Sequence, residues 1–155
     1  MQQRQDEFDV VVLGGGSAGF AAARMLAAAG VRLAVVEGAP EVGGLCILRG
    51  CMPTKALLHA AALRQAIREA ESWGITAEKV TVDMDRLLAR KDALISEFAS
   101  YRRGQLEEGN WEFIRSMARF VGPHELELDG GRRLRAGKVV IATGSELAPP
   151  PLPGL

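Results

Sequence analysis

The 155 residues are 48% hydrophobic and 25% charged, with 19 Lys plus Arg balancing 19 Asp plus Glu. This composition excludes a disordered chain, and the even charge argues against a nucleic-acid partner. No apolar run approaches the roughly 20 residues of a membrane helix, and the polar N-terminal residues lack a secretory apolar segment, so a cytoplasmic protein with no membrane partner is expected.

Residues 8–13 read as an apolar strand covered on both faces. The segment Gly14-Gly15-Gly16-Ser17-Ala18-Gly19 follows at once, and residues 20–29 are Ala-rich with strong helix propensity, stopping at Gly30 as a C-cap. Residues 31–36 form a second apolar strand closing on Glu37. The unit has the size of a parallel strand–helix–strand crossover. Residues 38–50, with glycines at 38, 43, 44 and 50 and a proline at 40, read as a loop. From Pro53 the pattern is helical: Ala56, Ala60, Leu63, Ile67 and Ala70 make one apolar stripe running up to Gly74. A second amphipathic segment places Met84, Leu87, Leu88, Leu94, Ile95, Phe98 and Tyr101 on one broad face. The intervening Arg86, Arg90, Asp92, Glu97 and Arg103 read as a solvated face. After Gly109 short strands are expected at 112–116, 118–121 and 125–128, with Asp129-Gly130-Gly131 as a hairpin turn. Residues 138–142 form a further strand running into Thr143-Gly144-Ser145. Residues 149–155 contain four prolines and read as an extended linker after a domain at 1–148.

Gly14-x-Gly16-x-x-Gly19 supplies the three glycines of a dinucleotide fingerprint. The first allows the tight turn, the second lets a pyrophosphate approach the backbone, and the third lets helix and strand pack closely. Ala23 extends that small-residue contact along the helix. The helix N-terminus presents unpaired N–H groups and partial positive charge to phosphates. Glu37, ending the second strand, is placed to accept hydrogen bonds from ribose hydroxyls. A strand before the glycines, a helix after them and an acid at the right distance make a dinucleotide site the best reading. These residues do not choose between FAD and NAD.

Cys46 and Cys51 have four residues between them, which is neither the thioredoxin-like spacing nor half of a recognisable zinc site, so no metal is expected. In a regular helix residues five apart diverge by about 140°, so a bridge between them requires a distorted or looped segment, which Gly50 permits. Pro53 suits a first helical turn, which puts Cys51 at or just before a helix N-terminus; that position and Lys55, four residues on, both favour a thiolate. Two buried, reduced core cysteines remain the competing reading.

The segment Gly43-Gly44-Leu45-Cys46-Ile47-Leu48-Arg49-Gly50-Cys51-Met52-Pro53-Thr54-Lys55 resembles the redox-active segment of the class I pyridine nucleotide–disulfide oxidoreductases. This family includes dihydrolipoamide dehydrogenase, to which the chain is closest in character, glutathione reductase and mercuric reductase. The glycine fingerprint, Glu37 and Ala142-Thr143-Gly144-Ser145 fall in the family's order. The resemblance implies a Rossmann-like α/β domain with a parallel sheet, helices and a small antiparallel β-meander, incomplete relative to the family. It implies FAD as cofactor, with Gly14, Gly16, Ser17, Ala18 and Gly19 around the pyrophosphate and Glu37 at the adenosine ribose. Gly43, Gly44, Leu45 and Cys46 would lie along the flavin side, Lys55 near the reactive flavin nitrogen, Ala118 at the adenine, and Ala142, Thr143 and Gly144 where a strand end passes the cofactor. Electrons would pass from a nicotinamide through FAD to a Cys46–Cys51 disulfide. Cys51 would be the thiolate facing the flavin, and Cys46 would exchange with a disulfide or dithiol substrate.

Leu45 and Leu48 stand where many members have threonine and asparagine, which leaves substrate identity open. Family members are several-fold longer, with an NAD(P)-binding domain, a return segment to the flavin site and a dimerisation domain that supplies a His–Glu pair. NAD(P) binding and a homodimer are therefore expected only of a full-length parent, and this chain alone is expected not to turn over. His59 and His124 read as structural. The alternatives are an FAD module without a redox disulfide and a non-catalytic dinucleotide-binding module.

Overall fold

Apolar strands flanking a glycine turn and an Ala-rich helix build a parallel pair. The computed structural model describes residues 6–146 and Leu152. Strand β1 (Asp6–Leu13) runs through the glycine turn into helix α1 (Ser17–Ala28) and returns as β2 (Leu33–Glu37), with Val10 opposite Leu33 and Leu13 opposite Val36. Then come α2 (Gly44–Leu48), α3 (Cys51–Glu69), a 3-10 turn at Ala70–Trp73 and α4 (Met84–Glu107). The chain ends in β3 (Glu112–Arg115), β4 (Ala118–Gly122), β5 (Glu125–Leu128) and β6 (Arg133–Ile141). The six strands form one sheet in the order β3-β2-β1-β6-β5-β4, parallel from β3 to β6 and antiparallel from β6 to β4. This is the mixed α/β arrangement expected, with the meander joined to the parallel sheet through β6.

Three boundaries differ from the sequence reading. The loop expected at 38–50 contains α2, because its apolar Ile47 is buried while Gly43 and Gly44, both at positive φ, turn the chain into one helical turn. Helix α3 starts at Cys51 rather than Pro53, so the proline sits in the first turn, where its missing N–H costs nothing. Strand β6 starts five residues before the apolar run at 138. Its first half alternates exposed Arg133 and Arg135 with buried Leu134 and Ala136, and it lies between β1 and β5.

Alternation along β1 and β2 splits the core into two. Phe8, Val11, Leu13, Ala34 and Val36 pack on one face with Ile114, Leu126, Leu128, Leu134 and Ala136. Val10, Val12, Leu33 and Val35 pack on the other with Phe20 and Ala23 of α1, Val42 and Leu106 of α4. By contrast, no residue of α3 is buried, and on α4 only Leu106 is. The apolar stripes of these helices line an open cleft of about 760 Å³ instead of a closed core. Among the described residues no helix is long and apolar enough to cross a membrane. The linker expected at 149–155 lies, Leu152 apart, outside the described residues.

Candidate functional site

The parallel strands bring their carboxyl ends together. Helical crossovers add β2 and then β3 on one side of β1, while β6 lies on the other, so the loops part beyond β1 and leave a crevice. The Gly14 N–H donates to the Val36 carbonyl at 2.7 Å, and the Ala142 N–H donates to the Leu13 carbonyl at 2.8 Å. These bonds bring Ala142 and Thr143, at the end of β6, beside the glycine turn; Gly144 follows at φ +79°.

Helix α1 begins at Ser17 with Gly16 as its N-cap, and no side chain caps it. The N–H groups of its first turn have no intrahelical acceptor, and Ser17 and Ala18, which carry two of them, are exposed. A Cβ on Gly19 would overlap the Gly14 carbonyl oxygen and reach 3.3 Å from Val12, so only glycine lets α1 sit this close to β1. Gly44, at φ +67°, brings the start of α2 to the same place. A Cβ there would come within 2.8 Å of the Gly16 Cα. Two glycine backbones therefore meet over an uncapped helix N-terminus, and Gly43, Leu45 and Cys46 flank that meeting point in sequence.

Glu37 is 8% exposed, the one buried charged side chain among the described residues. Its Oε2 accepts the Gly15 N–H at 2.8 Å and its Oε1 the Ala39 N–H at 2.8 Å. The carboxylate thus ties the glycine turn to the loop after β2, and each oxygen retains a lone pair for a ribose hydroxyl. The same loop is held from β3: Arg115 donates to the carbonyls of Ala39 and Pro40, and the Ser116 N–H donates to the Glu37 carbonyl at 3.2 Å. Met117 packs against Gly38, and half-buried Ala118 follows as the first residue of β4. The sequence reading missed Gly15, Arg115 and Met117. A middle glycine looks like a spacer, and nothing local in 115–117 marks residues whose partners lie more than 70 positions away.

The cysteines sit on separate helices. Helix α2 ends at Leu48, Gly50 breaks the path with φ −120° and ψ −104°, and α3 starts at Cys51. The divergence of a continuous helix is avoided, and the two side chains face one another. Cys46 is half-buried and Cys51 exposed, so neither is a buried core cysteine. The Cys51 thiol is pushed up, first by its hydrogen bond with the Cys46 side chain, then by partial desolvation and the Cys46 charge. Its backbone hydrogen bond and Lys55 pull the other way. The influences expected to favour a Cys51 thiolate are present, but Cys46 outweighs them.

Lys55, one turn into α3, and His59 line the wall of the α3–α4 cleft. His124 lies at the β4–β5 turn, its Nδ1 3.1 Å from the Ala136 carbonyl oxygen. Among the described residues no cluster of His, Cys, Asp and Glu is arranged to hold a metal.

A sequence profile of the pyridine nucleotide-disulphide oxidoreductases matches residues 8–155. The chain is 41% identical over 147 residues to a dihydrolipoyl dehydrogenase of Thermus scotoductus, covering 95% of this chain and 31% of that protein. It is 32% identical over 148 residues to a glutathione reductase of Burkholderia cepacia, covering 96% and 32%. Among solved structures it is similar to the HOCl-induced flavoprotein disulfide reductase RclA from Escherichia coli, with a TM-score of 0.74 at 31% identity over 95% of this chain and 30% of that one. The chain spans about a third of the length of such relatives.

Proposed function

The chain belongs to the pyridine nucleotide–disulphide oxidoreductase family, whose members are FAD-binding flavoproteins, and on that premise we propose that residues 14–55 hold FAD beside a Cys46–Cys51 pair that opens and closes as a redox disulfide. The observation that carries this reading is the meeting of Gly16 and Gly44 over the uncapped start of α1. Room that any Cβ would fill, lined by free backbone N–H groups, suits a pyrophosphate. Glu37 is anchored through Gly15 and Ala39 and offers its remaining lone pairs to the adenosine ribose. FAD supplies the two-electron chemistry that closes and opens the sulfur pair. The chain's own contribution is to keep the two thiols facing each other across the Gly50 break, with Lys55 adding positive charge on the Cys51 side.

Within the family the reading supported best is dihydrolipoyl dehydrogenase-like, on the 41% identity to the Thermus scotoductus enzyme, with a small disulfide or dithiol as substrate. The 155 residues carry one glycine fingerprint, assigned here to FAD. We propose that nicotinamide binding and dimerisation belong to other parts of a protein of the relatives' length. The purified 155-residue polypeptide is accordingly expected not to oxidise NAD(P)H steadily against a disulfide.

Two measurements test the proposal. FAD mixed with the chain and then desalted should leave the visible flavin band with the protein, whereas Gly44→Val should lose it. Thiol titration after mild oxidation should find both thiols gone and both restored by reductant, with the chain's mass unchanged apart from two hydrogens. No retained flavin in the parent chain would sink the cofactor assignment, and two thiols that resist oxidation would sink the disulfide.

A further inference from the structure

Two cations converge on one aromatic ring, and no acidic side chain pairs with either. Phe20 and Arg24 stand four residues apart on α1, where they share a face. The guanidinium carbon of Arg24 lies 5.9 Å from the centre of the Phe20 ring, and that of Arg102, from α4, lies 4.0 Å from it. Phe20 is buried and fixed by an edge contact with Trp111, whose Nε1–H donates to the Leu106 carbonyl at 2.8 Å. Arg24 is exposed, and among the described residues neither guanidinium has a carboxylate partner. Helix α1 carries no acidic residue, and Glu37 is committed to two backbone N–H groups. Beyond the ring, Arg102 is held by one bond, its Nε donating to the Gln105 Oε1 at 3.3 Å. Its Nη1 is buried without a hydrogen-bond partner, the only such side-chain atom among the described residues. Turning that end outward breaks no hydrogen bond at Nη1, whereas leaving it buried and unpaired is costly. Two like charges drawn to one ring also repel each other unless an anion lies between them.

The place of this ring in the fold says which anion it meets. Helices α1 and α2 touch where a Cβ on Gly44 would come within 2.8 Å of the Gly16 Cα. Phe20 follows Gly16 by one helical turn and Cys46 follows Gly44 by two residues, so each lies about 6 Å of helix backbone from that contact. Helix α4, which supplies Arg102, packs on α2 as well. We propose that Arg24 and Arg102 bind a carboxylate of the substrate, so that the disulfide presented to Cys46 carries an acid group a few bonds from its sulfurs. The inference rests on the proposed thiol pair and adds the substrate's charge: a free acid rather than a neutral amide or a cationic disulfide. A carboxylate matches the two-pronged donors of a guanidinium, and stacking on Phe20 keeps both cations at the site. In the exchange the Cys46 thiolate attacks one substrate sulfur and the first half of the substrate leaves as a thiolate. The Cys51 sulfur, its proton lost to solvent, then displaces the second half. Two electrons pass to the substrate, which takes up two protons as two thiols, and the Cys46–Cys51 disulfide forms.

The test needs neither flavin nor turnover. The reduced chain is mixed in equal amount with dithiodiglycolate, bis(2-hydroxyethyl) disulfide or cystamine, which are anionic, neutral and cationic. Each rate is divided by that of dithiothreitol with the same disulfide. The divided rates should fall in the order anionic, neutral, cationic, and the spread should narrow as salt is added. Arg24→Gln and Arg102→Gln should each slow the anionic disulfide by about threefold to fivefold, the worth of one part-exposed ion pair, and leave the neutral one unchanged. Arg102→Lys should keep most of the preference, because it keeps the charge. Equal divided rates in the parent overturn the inference, as does equal slowing of the anionic and neutral disulfides by Arg24→Gln. Should Arg102→Gln fail to fold, Arg24→Gln, at an exposed side chain, decides alone. A chain that reduces none of the three disulfides sinks the thiol pair itself and this inference with it, whereas a chain that reduces all three without preference leaves the pair standing and sinks the carboxylate site alone.

Discussion

Replacing Glu37 tests the anchoring on which the glycine turn depends. The carboxylate is buried and accepts two backbone N–H groups at 2.8 Å each, one from Gly15 and one from Ala39. Glu37→Gln keeps the shape and one oxygen acceptor but sets an amide N–H₂ against the other backbone donor. One charge-assisted bond is lost and a buried donor goes unpaired, a cost of about 1.5–3 kcal/mol. Glu37→Ala abandons both donors and removes buried volume, which raises the cost to about 3–5 kcal/mol. For a chain of this size 1 kcal/mol moves the melting temperature by about 2–4 °C, so the Gln variant should melt about 3–12 °C below the parent and the Ala variant lower still. Thermal unfolding followed by circular dichroism reads the order parent, Gln, Ala. Coincident melting curves for the parent and the Gln variant would refute the reasoning, because the carboxylate would then not be what ties residue 15 to residue 39.

The glycines predict opposite signs at two helical positions. Gly19→Ala should severely destabilise or abolish folding, since its Cβ meets the Gly14 carbonyl and Val12, whereas Gly104→Ala in α4, with nothing within 4 Å of the added Cβ, should stabilise by about 0.5–1 kcal/mol. Denaturant titration of both variants checks the pair. Acid sensitivity should trace in part to Glu127, whose carboxylate Arg119 holds below its ordinary value, aided by Arg133. With the folded value depressed, the stabilisation is present above about pH 4.5, the ordinary value, and is lost as pH falls through the lower folded one. Glu127→Gln should therefore show a shallower loss of stability on acidification than the parent, and parallel curves would count against the assignment.

Much of this protein is local in origin. The strand, glycine turn, helix, strand and closing acid were legible because each demand is met within a few residues: apolar continuity for β1 and β2, absence of a Cβ where α1 meets β1, and a carboxylate at the end of β2. The cysteine segment was legible for the same reason, since Gly50 permits a break between Cys46 and Cys51 and Pro53 suits the first turn of the helix that follows. What only the tertiary structure decided depends on groups far apart in the chain. Gly15 acquires its acceptor 22 residues away. Strand β6 extends back to Arg133 because β1 and β5 flank it on both sides, and α3 keeps its apolar stripe open to a cleft rather than a core. The state of the sulfurs is the clearest instance. Sequence places a helix start and a lysine beside Cys51, both favouring its thiolate, yet the fold brings Cys46 against it, and that neighbour pushes the Cys51 thiol up. Hydrogen bonding and charge in a partly desolvated site are sums over neighbours in space, and no window along the chain contains all the terms.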